Sequence, residues 1–205
     1  MIIKVADPSG FCFGVSRAVE LAEEHLKHDN LVSLGKIIHN QDEISRLEGL
    51  GMKTAEGMEG LTDRVVLVRS HGESRETMKL IEEEHTLINA TCPFVTKLQR
   101  IVEHATDTGK QVIILGSKNH PEIQGVIGWA KSDKVHTANN MEELKALNIS
   151  NEDTVFCAQT TLQESFWNEA EEYLKGLGNP FEFRNTICSA TKDRQRAAAA
   201  LAKEV

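Results

Sequence analysis

Short apolar runs alternate with amphipathic stretches along the chain, and this alternation predicts the fold class. The runs show little polar alternation, which is typical of strands that are buried on both faces of a parallel sheet. The predicted strands are Ile2–Ala6, Val65–Val68, Leu87–Asn89, Val112–Leu115 and Val155–Ala158. Because helical patterns separate these runs, we predict an α/β fold with largely parallel sheets.

Between the runs, apolar residues recur three and four positions apart, which is the spacing of one helix face. The first such face consists of Val15, Ala18, Val19, Ala22 and Leu26. Asn40, with Glu43 three residues later, resembles a capping box and predicts a helix that ends near Gly51. The further predicted helices are Ser74–Glu84, Pro93–Thr108, Met141–Leu147, Glu164–Leu177 and Ser189–Val205.

Three of the four cysteines, Cys12, Cys92 and Cys188, occupy the same place in a repeated unit of apolar run, cysteine and helical pattern. Asn89 and Asn185 each precede a cysteine by three residues. A hydroxyl residue followed by a cation comes soon after each cysteine, as Ser16–Arg17, Thr96–Lys97 and Thr191–Lys192. The cysteines are too far apart in sequence for a local zinc finger, so the fold must gather any shared ligand.

The repeated cysteine units predict the domain organisation. Boundaries near Thr91 and Asn185 give a first α/β unit at residues 1–91 with Cys12 and a second at 92–185 with Cys92. Residues 186–205, with Cys188, form the start of a third unit, since no strand follows the last predicted helix. We therefore expect a pseudo-threefold arrangement of small, mostly parallel units, whose third unit is cut short.

The cysteines are candidate metal ligands because each is predicted near a helix N-terminus, which favours the metal-binding thiolate. Pro93 directly after Cys92 supports this placement. Two ligands remain open. Zinc bound by three thiolates takes a histidine or a fourth thiolate, whereas a four-iron cluster held by three thiolates leaves one iron open for a substrate oxygen. Cys157, inside a predicted strand, is expected to be a buried apolar side chain.

Three histidines follow predicted strands in turn-like sequences, at the end of an α/β sheet where ligands bind. They are His39, His71 and His120. Protonated histidines there would donate hydrogen bonds to phosphate oxygens. Glu122 is the acid best placed for proton transfer, and Thr160 is placed to present a hydroxyl to a ligand. The chain contains no Gly-x-Gly-x-x-Gly or P-loop motif that would support nucleotide binding.

The composition limits the partners and the compartment. A chain of 205 residues with a net charge of -8 and a pI near 5.5 is disfavoured as a binder of nucleic acid or of anionic membranes. Neither a signal-peptide pattern nor an apolar run of membrane-spanning length is evident. We therefore predict a cytoplasmic protein, in which cysteines serve as ligands, nucleophiles or buried side chains rather than disulfides.

Six short motifs stand in order along the chain. They are Gly10–Val15, Ile38–Asn40, Ser70–Gly72, Ala90–Pro93, Asn119–Glu122 and Gln159–Thr161. Each motif is weak alone, but together they closely resemble the LytB/IspH family, the 4-hydroxy-3-methylbut-2-enyl diphosphate reductases.

The resemblance implies an iron-sulfur oxidoreductase of the non-mevalonate isoprenoid pathway, which reductively removes the allylic hydroxyl and gives isopentenyl and dimethylallyl diphosphates. It implies that Cys12, Cys92 and Cys188 hold a central [4Fe-4S] cluster, whose fourth iron binds the substrate oxygen. The implied diphosphate pocket is lined by His39, His71 and His120. Glu122 is implied as the proton donor to the leaving hydroxyl, and Thr160 as the residue that orients it. The implied partners are the allylic diphosphate and an electron donor such as ferredoxin or flavodoxin.

The resemblance has one gap. Family members carry a Ser/Asn-rich diphosphate-binding stretch and a distal serine that these 205 residues lack, so we expect weak cluster binding and little or no turnover. One alternative is a noncatalytic metal-binding module with structural zinc at the three cysteines, which predicts zinc without sulfide. Another is a thiol hydrolase that uses Cys92 with a loop histidine, which predicts no metal and inactivation by alkylation.

Overall fold

The first half of the chain forms a parallel sheet with helices on both faces. A computed structural model describes residues 3–27, 30–149 and 153–204. The strands of the first sheet, in the order β2-β1-β3-β4, are β1 (Leu31–Leu34), β2 (Lys53–Ala55), β3 (Val65–Val68) and β4 (Thr86–Asn89). Its helices are α1 (Phe13–His25), α2 (Gln41–Gly49) and α3 (Arg75–Glu84).

The second sheet repeats this plan, with all strands parallel in the order β6-β5-β7-β8. Its strands are β5 (Gln111–Leu115), β6 (Val135–Ala138), β7 (Thr154–Ala158) and β8 (Glu182–Arg184). The helices that accompany it are α4 (Pro93–Asp107), α5 (Pro121–Ile127), α6 (Met141–Ala146) and α7 (Glu164–Gly176), and α8 (Ser189–Leu201) follows the last strand.

Each sheet is covered on both faces, which explains the uninterrupted apolar runs. In the first sheet, α1 and α2 pack on one face around Leu67, and Val66 and Val68 face a smaller cluster with α3. In the second sheet, α6 and α7 pack around the fully buried Phe156, and α4 and α5 pack on the opposite face around Ile114. Among the described residues, no helix has the length and apolar character that crossing a membrane requires.

Most predicted elements are confirmed, and Asn40 caps α2 by accepting a hydrogen bond from the Glu43 amide at 2.9 Å. The strand predicted at Ile2–Ala6 is wrong for residues 3–6, which form no strand; Ile2 lies outside the described residues. Ile3 and Val5 are 74% and 72% exposed, and no strand in the described part of the chain pairs with this apolar run. The helix predicted at Ser189–Val205 ends at Leu201, and Val205 lies outside the described residues.

The register brings the carboxyl ends of the strands level within each sheet. Leu34 pairs with Val68 and Val68 with Asn89 in the first sheet, as Leu115 pairs with Ala158 in the second. The segments that follow these strands therefore gather at one edge of each sheet, where α/β proteins place their ligands. The unit boundaries near Thr91 and Asn185 stay a prediction.

Candidate functional site

The three repeated cysteines are all N-cap residues. Cys12 precedes α1, Cys92 precedes α4 and Cys188 precedes α8, each with an extended backbone. All three line one cavity of about 260 Å³. The fold therefore gathers three thiols that are distant in sequence, as the repeated unit predicts.

The environment of the thiols differs from one cysteine to the next. Sγ of Cys188 accepts a hydrogen bond from the amide of Thr191 at 3.3 Å and lies 3.0 Å from the Thr191 hydroxyl. Burial raises the pKa of Cys92 above its ordinary value, and the nearby Cys12 and Cys188 add to the rise. Backbone hydrogen bonds from Phe94 and Val95, in the first turn of α4, lower the pKa of Cys92, as the helix N-terminus predicts, but burial has the larger effect.

Cys157 stands apart from this cavity. It is fully buried in β7, and burial alone raises the pKa of its thiol far above the ordinary value. Its thiol contacts the carbonyl of Ile113 at 3.9 Å on the neighbouring strand. The prediction of an apolar, structural cysteine is confirmed.

A glycine makes room for the Cys92 thiol. Gly14 is buried in the first turn of α1, and a Cβ built on it would lie 2.6 Å from Sγ and 3.1 Å from Cβ of Cys92. Real Cβ atoms essentially never approach closer than 3.0 Å. Gly14 therefore lets α1 and α4 bring their N-termini together, a role that the sequence motif Gly10–Val15 contains but does not reveal.

The three loop histidines also converge. The ring centroids of His39 and His71 are 4.5 Å apart, and that of His120 lies 5.7 Å from His39 and 5.6 Å from His71. The loops come from both sheets, since His39 and His71 follow β1 and β3 and His120 follows β5. The predicted cluster is thus present in the fold, although its ligand remains a proposal.

The loop that follows β3 packs against two glycines, Gly125 and Gly128, at α5, and this contact positions the histidines of the two sheets. A Cβ on Gly125 of α5 would lie 3.0 Å from the carbonyl oxygen of Gly72, and one on Gly128 would lie 2.3 Å from Cβ of Ser74. The indole N–H of Trp129 donates to the carbonyl of Glu73 at 2.9 Å. The loop after β3 therefore packs tightly on α5, which holds His71 beside His120.

His71 and His120 are less basic than the sequence led us to expect. Burial, together with smaller contributions from His39, His120 and Arg69, lowers the pKa of His71 from 6.5 to about 3. Burial also lowers the pKa of His120, again with contributions from His39 and Arg69. In the free pocket His71 is therefore neutral at pH 7, and the prediction of charge-assisted donors requires an anion to restore its proton.

The hydrogen bonds at this cluster suit an anion better than a cation. One nitrogen from each ring lies within 4.8 Å of the other two, a spacing that could hold a metal ion. However, Nδ1 of His120 accepts a hydrogen bond from the Glu122 amide at 3.2 Å, which favours the tautomer with its proton on Nε2. Nδ1 of His71 is buried without a partner among the described residues, and Arg69, paired with Glu73 at 2.8 Å, adds a permanent cation nearby.

Glu122 and Thr160 form a buried pair between the histidines and the cysteines. Glu122 is 1% exposed, and its carboxylate accepts hydrogen bonds from the Thr160 hydroxyl at 2.6 Å and the Thr160 amide at 2.7 Å. Burial raises the pKa of Glu122, although the two bonds from Thr160 oppose the rise. Its carboxyl therefore keeps a proton to higher pH than an ordinary glutamate, as a proton donor requires.

One cavity connects these groups. His71, Glu122 and Thr160 line the same cavity as the three cysteines. His39 and His120 do not line this cavity, but their rings contact the ring of His71, which does. The carbonyl of Thr160 also accepts a hydrogen bond from the Cys188 amide at 3.0 Å. The candidate acid is thus linked through one residue to a candidate metal ligand.

The helix that carries Cys188 is fastened to the second sheet by side chains that the sequence did not single out. The Gln195 amide group donates to the carbonyl of Leu162 at 3.1 Å and accepts from the Glu164 amide at 3.1 Å. Arg196 pairs with the Glu164 carboxylate at 3.0 Å, and Arg194 donates to the carbonyl of Gly10 at 3.2 Å. These polar contacts of α8 had no recognisable pattern in the sequence.

The chain is similar to curated reductases over its whole length. The LytB protein family matches residues 3–205. The 4-hydroxy-3-methylbut-2-enyl diphosphate reductase of Caldanaerobacter subterraneus subsp. tengcongensis is 42% identical over 213 aligned positions, which cover 100% of this chain and 73% of the relative. The reductase of the same name from Alkaliphilus oremlandii is 39% identical, with coverage of 100% and 74%.

Solved structures agree with this similarity. The E-1-hydroxy-2-methyl-but-2-enyl-4-diphosphate reductase from Plasmodium falciparum superposes with a TM-score of 0.90 at 29% identity, over 97% of this chain and 64% of that one. An (E)-4-hydroxy-3-methyl-but-2-enyl diphosphate reductase, the terminal enzyme of the non-mevalonate pathway, superposes with a TM-score of 0.78 at 36% identity, over 99% and 74%. The chain belongs to the LytB protein family.

Proposed function

We propose that the chain is an iron-sulfur reductase that removes the allylic hydroxyl of 4-hydroxy-3-methylbut-2-enyl diphosphate and gives isopentenyl and dimethylallyl diphosphates. The observation that carries the proposal is the single cavity in which three N-cap cysteines meet a buried Glu122 and Thr160, with His71 on its wall. Reductive loss of a hydroxyl as water consumes two electrons and two protons, one for the leaving oxygen and one for the allylic carbon, and the diphosphate needs an anion site. The cavity offers cysteines that would hold an electron-supplying cluster, an acid in Glu122 and a histidine on its wall.

The donor set of the cavity fits a [4Fe-4S] cluster. Cys12, Cys92 and Cys188 would hold it, and Gly14 leaves the space that the Cys92 thiol occupies. A metal centre deprotonates its thiol ligands, and the backbone hydrogen bonds from Phe94 and Val95, which lower the pKa of Cys92, would support its thiolate. When bound, the cluster supplies the electrons for the reduction.

The contacts of α8 bear on how well such a cluster is held. Gln195 and Arg196 fix α8 to the second sheet, so Cys188 is positioned by residues within this chain. These contacts favour cluster binding, whereas the sequence gap led us to expect weak binding and low turnover. That expectation stays a prediction.

We assign the diphosphate to His39, His71 and His120. The Nε2 proton of His120 is a potential donor, and an anion beside the unpartnered Nδ1 of His71 favours the protonated form of the His71 ring. Arg69 supplies a charge that does not depend on pH. The site therefore binds its anion partly by proton uptake, and binding should strengthen as the pH falls.

We assign proton transfer to Glu122. The protonated carboxyl donates to the leaving hydroxyl oxygen, and the Thr160 hydroxyl and amide keep the carboxyl oriented during the transfer. After the proton has left, the same two hydrogen bonds stabilise the carboxylate in its buried place. Thr160 also orients the substrate hydroxyl.

The implied partners follow from this chemistry. The substrate is an allylic diphosphate, and a cytoplasmic one-electron carrier such as ferredoxin or flavodoxin provides the electrons. The thiol-hydrolase alternative is disfavoured because it leaves Cys12 and Cys188, which line the same cavity as Cys92, without a role. The structural zinc module leaves the buried Glu122–Thr160 pair without a role.

Glu122→Gln tests the assignment. In a C-terminally extended protein, after anaerobic reconstitution, we expect the variant to keep the iron and sulfide of its parent but to lose most of the methyl-viologen-driven turnover of the allylic diphosphate. Glu82→Gln, at an exposed position on α3, is the matched control and should change neither property. A rate for Glu122→Gln equal to that of the parent would remove Glu122 from the reaction.

A further inference from the structure

A second surface of the chain, which the reaction does not use, is strongly basic. An open hollow of about 690 Å³ lies beside β4 and α4. Its cationic side chains, here called the basic face, are Arg17, Lys97, Arg100 and Arg184, and His104 also lines the hollow. Among residues 3–27, 30–149 and 153–204, no Asp or Glu lines the hollow, although the full chain carries 31 acidic residues against 23 lysines and arginines.

The cations of the basic face are mostly not neutralised by the chain itself. Lys97 and Arg100 are exposed, and neither takes part in an ion pair among the described residues. Arg17 donates to the carbonyls of Asn89 and Thr91, which hold its guanidinium in place without cancelling its charge. Arg184 is paired, with Glu182. The basic face therefore keeps a concentrated positive potential on an acidic protein, which attracts an acidic partner.

The basic face borders the cysteines. Thr91 and Pro93, the neighbours of Cys92, also line the hollow. Lys97 and Arg100 follow Cys92 along α4, so at 1.5 Å per residue Arg100 lies about 12 Å along the helix axis from Cys92. Arg17 stands on α1, whose N-cap is Cys12. Arg17 and Lys97 are the cations that follow Ser16 and Thr96 in the repeated cysteine unit.

Exposed aromatic side chains stand on the same two helices. Phe13 begins α1 and is 67% exposed, and Phe94 lies in the first turn of α4 and is 40% exposed. Phe13 precedes Arg17 by four residues and Phe94 precedes Lys97 by three. Phe94 lines the cysteine cavity rather than the hollow, so the two aromatic side chains stand at the border between the basic face and that cavity. Apolar side chains next to exposed charges are the usual composition of a protein interface.

We propose that the basic face docks an acidic one-electron carrier protein of the ferredoxin or flavodoxin type, close to Cys12 and Cys92. The inference rests on the proposed function, because it assumes a cluster that must be reduced. Each docking passes one electron, so that one carrier is oxidised and the cluster is reduced by one electron. Two such events supply the electrons for one hydroxyl removed.

Binding and electron transfer can be tested separately. Lys97→Glu, Arg100→Glu and the double variant reverse the charge of the basic face. Lys53→Glu is the matched control, since Lys53 is exposed on β2, at the opposite edge of the first sheet from β4. An acidic plant-type ferredoxin is titrated against each reconstituted protein, and cluster reduction is followed with reduced ferredoxin and, separately, with reduced methyl viologen.

At low ionic strength we expect the double variant to bind ferredoxin at least about tenfold more weakly than the parent does. The difference between the two dissociation constants should become smaller as salt is added. Reduction of the double variant by ferredoxin should slow by a similar factor, while reduction by methyl viologen and the whole behaviour of Lys53→Glu stay unchanged. Equal binding by the parent and the double variant, or equal losses in Lys53→Glu, would overturn the docking proposal. If methyl viologen reduces no cluster in the parent chain, the proposed function fails, and the ferredoxin titration still decides the docking surface.

Discussion

Gly14→Ala is the sharpest perturbation of the cysteine cavity. The new Cβ would stand 2.6 Å from Sγ of Cys92, about 0.8 Å closer than the 3.4 Å at which ordinary contact begins, and 3.1 Å from its Cβ. The thiol can rotate away, but Cβ of Cys92 cannot, because the Cys92 amide is held by the Ser70 carbonyl at 3.0 Å. The substitution should therefore push the thiol out of the cavity.

Gly14→Ala should lower the stability of the chain only modestly but should remove most of its bound metal. Overpacking typically costs 1–3 kcal/mol, and replacing glycine with alanine in a helix returns roughly 0.5–1 kcal/mol. We expect the free energy of unfolding of the metal-free chain to fall by about 0–2.5 kcal/mol, with most of the iron and sulfide lost after reconstitution.

Gly176→Ala is the matched control for this experiment. Gly176 ends α7, and a Cβ added there would meet no other atom within 4 Å. The variant should therefore be as stable as the parent or slightly more stable, and it should keep its iron. Urea denaturation and iron analysis on both variants measure the two quantities. Parental iron and sulfide in Gly14→Ala would refute the idea that the Cys92 thiol needs the space beside Gly14.

Three further predictions concern single side chains. Thr160→Val removes the hydroxyl that donates a hydrogen bond to Glu122, so the free energy of unfolding should fall by about 1–2 kcal/mol. Because this hydrogen bond lowers the pKa of Glu122, the part of the rate-pH profile that reports Glu122 should move to higher pH. A profile that does not move would contradict this role of Thr160. The pKa of His71 is about 3 in the folded chain and 6.5 as its ordinary value, so the folded chain binds fewer protons than the unfolded chain between these pH values. Its stability in anion-free buffer should therefore fall as the pH falls from 6.5 towards 3. In thermal melts, the melting temperature of His71→Gln should fall less steeply with pH than that of the parent, and an equally steep fall would refute His71 as the cause. Cys157→Ala should keep the parental iron and sulfide while Cys12→Ala loses them, and equal losses in both variants would show that position in the repeated unit does not select the ligands.

The parts of the fold that the sequence predicts are those with local signals. Val65–Val68 has the predicted bounds because its residues are apolar and buried on both sides of the sheet. β1 escaped notice because Ser33 interrupts a four-residue run, although its hydroxyl is buried and donates to the Gly35 carbonyl at 2.8 Å. Residues 3–6 were wrongly predicted as a strand, because strand formation depends on a neighbouring strand that the local sequence does not specify.

The same division applies to the candidate site. The position of Cys12, Cys92 and Cys188 at strand-to-helix junctions is a local property, and it was predictable. The pKa of Cys92 was not, because its burial depends on chain segments that are distant in sequence. The low pKa of His71 likewise depends on packing between loops of two separate sheets, and the need for glycine at Gly14 appears only when α1 meets α4.

Iron and acid-labile sulfide per chain, measured after anaerobic reconstitution, test most directly whether the three cysteines act together as ligands. The arrangement of Cys12, Cys92 and Cys188 around one cavity predicts roughly four iron and four sulfide per chain, as in a cubane cluster, with the same content in Cys157→Ala. Zinc without sulfide, or iron and sulfide that survive replacement of Cys92 by alanine, would contradict the proposed iron-sulfur site.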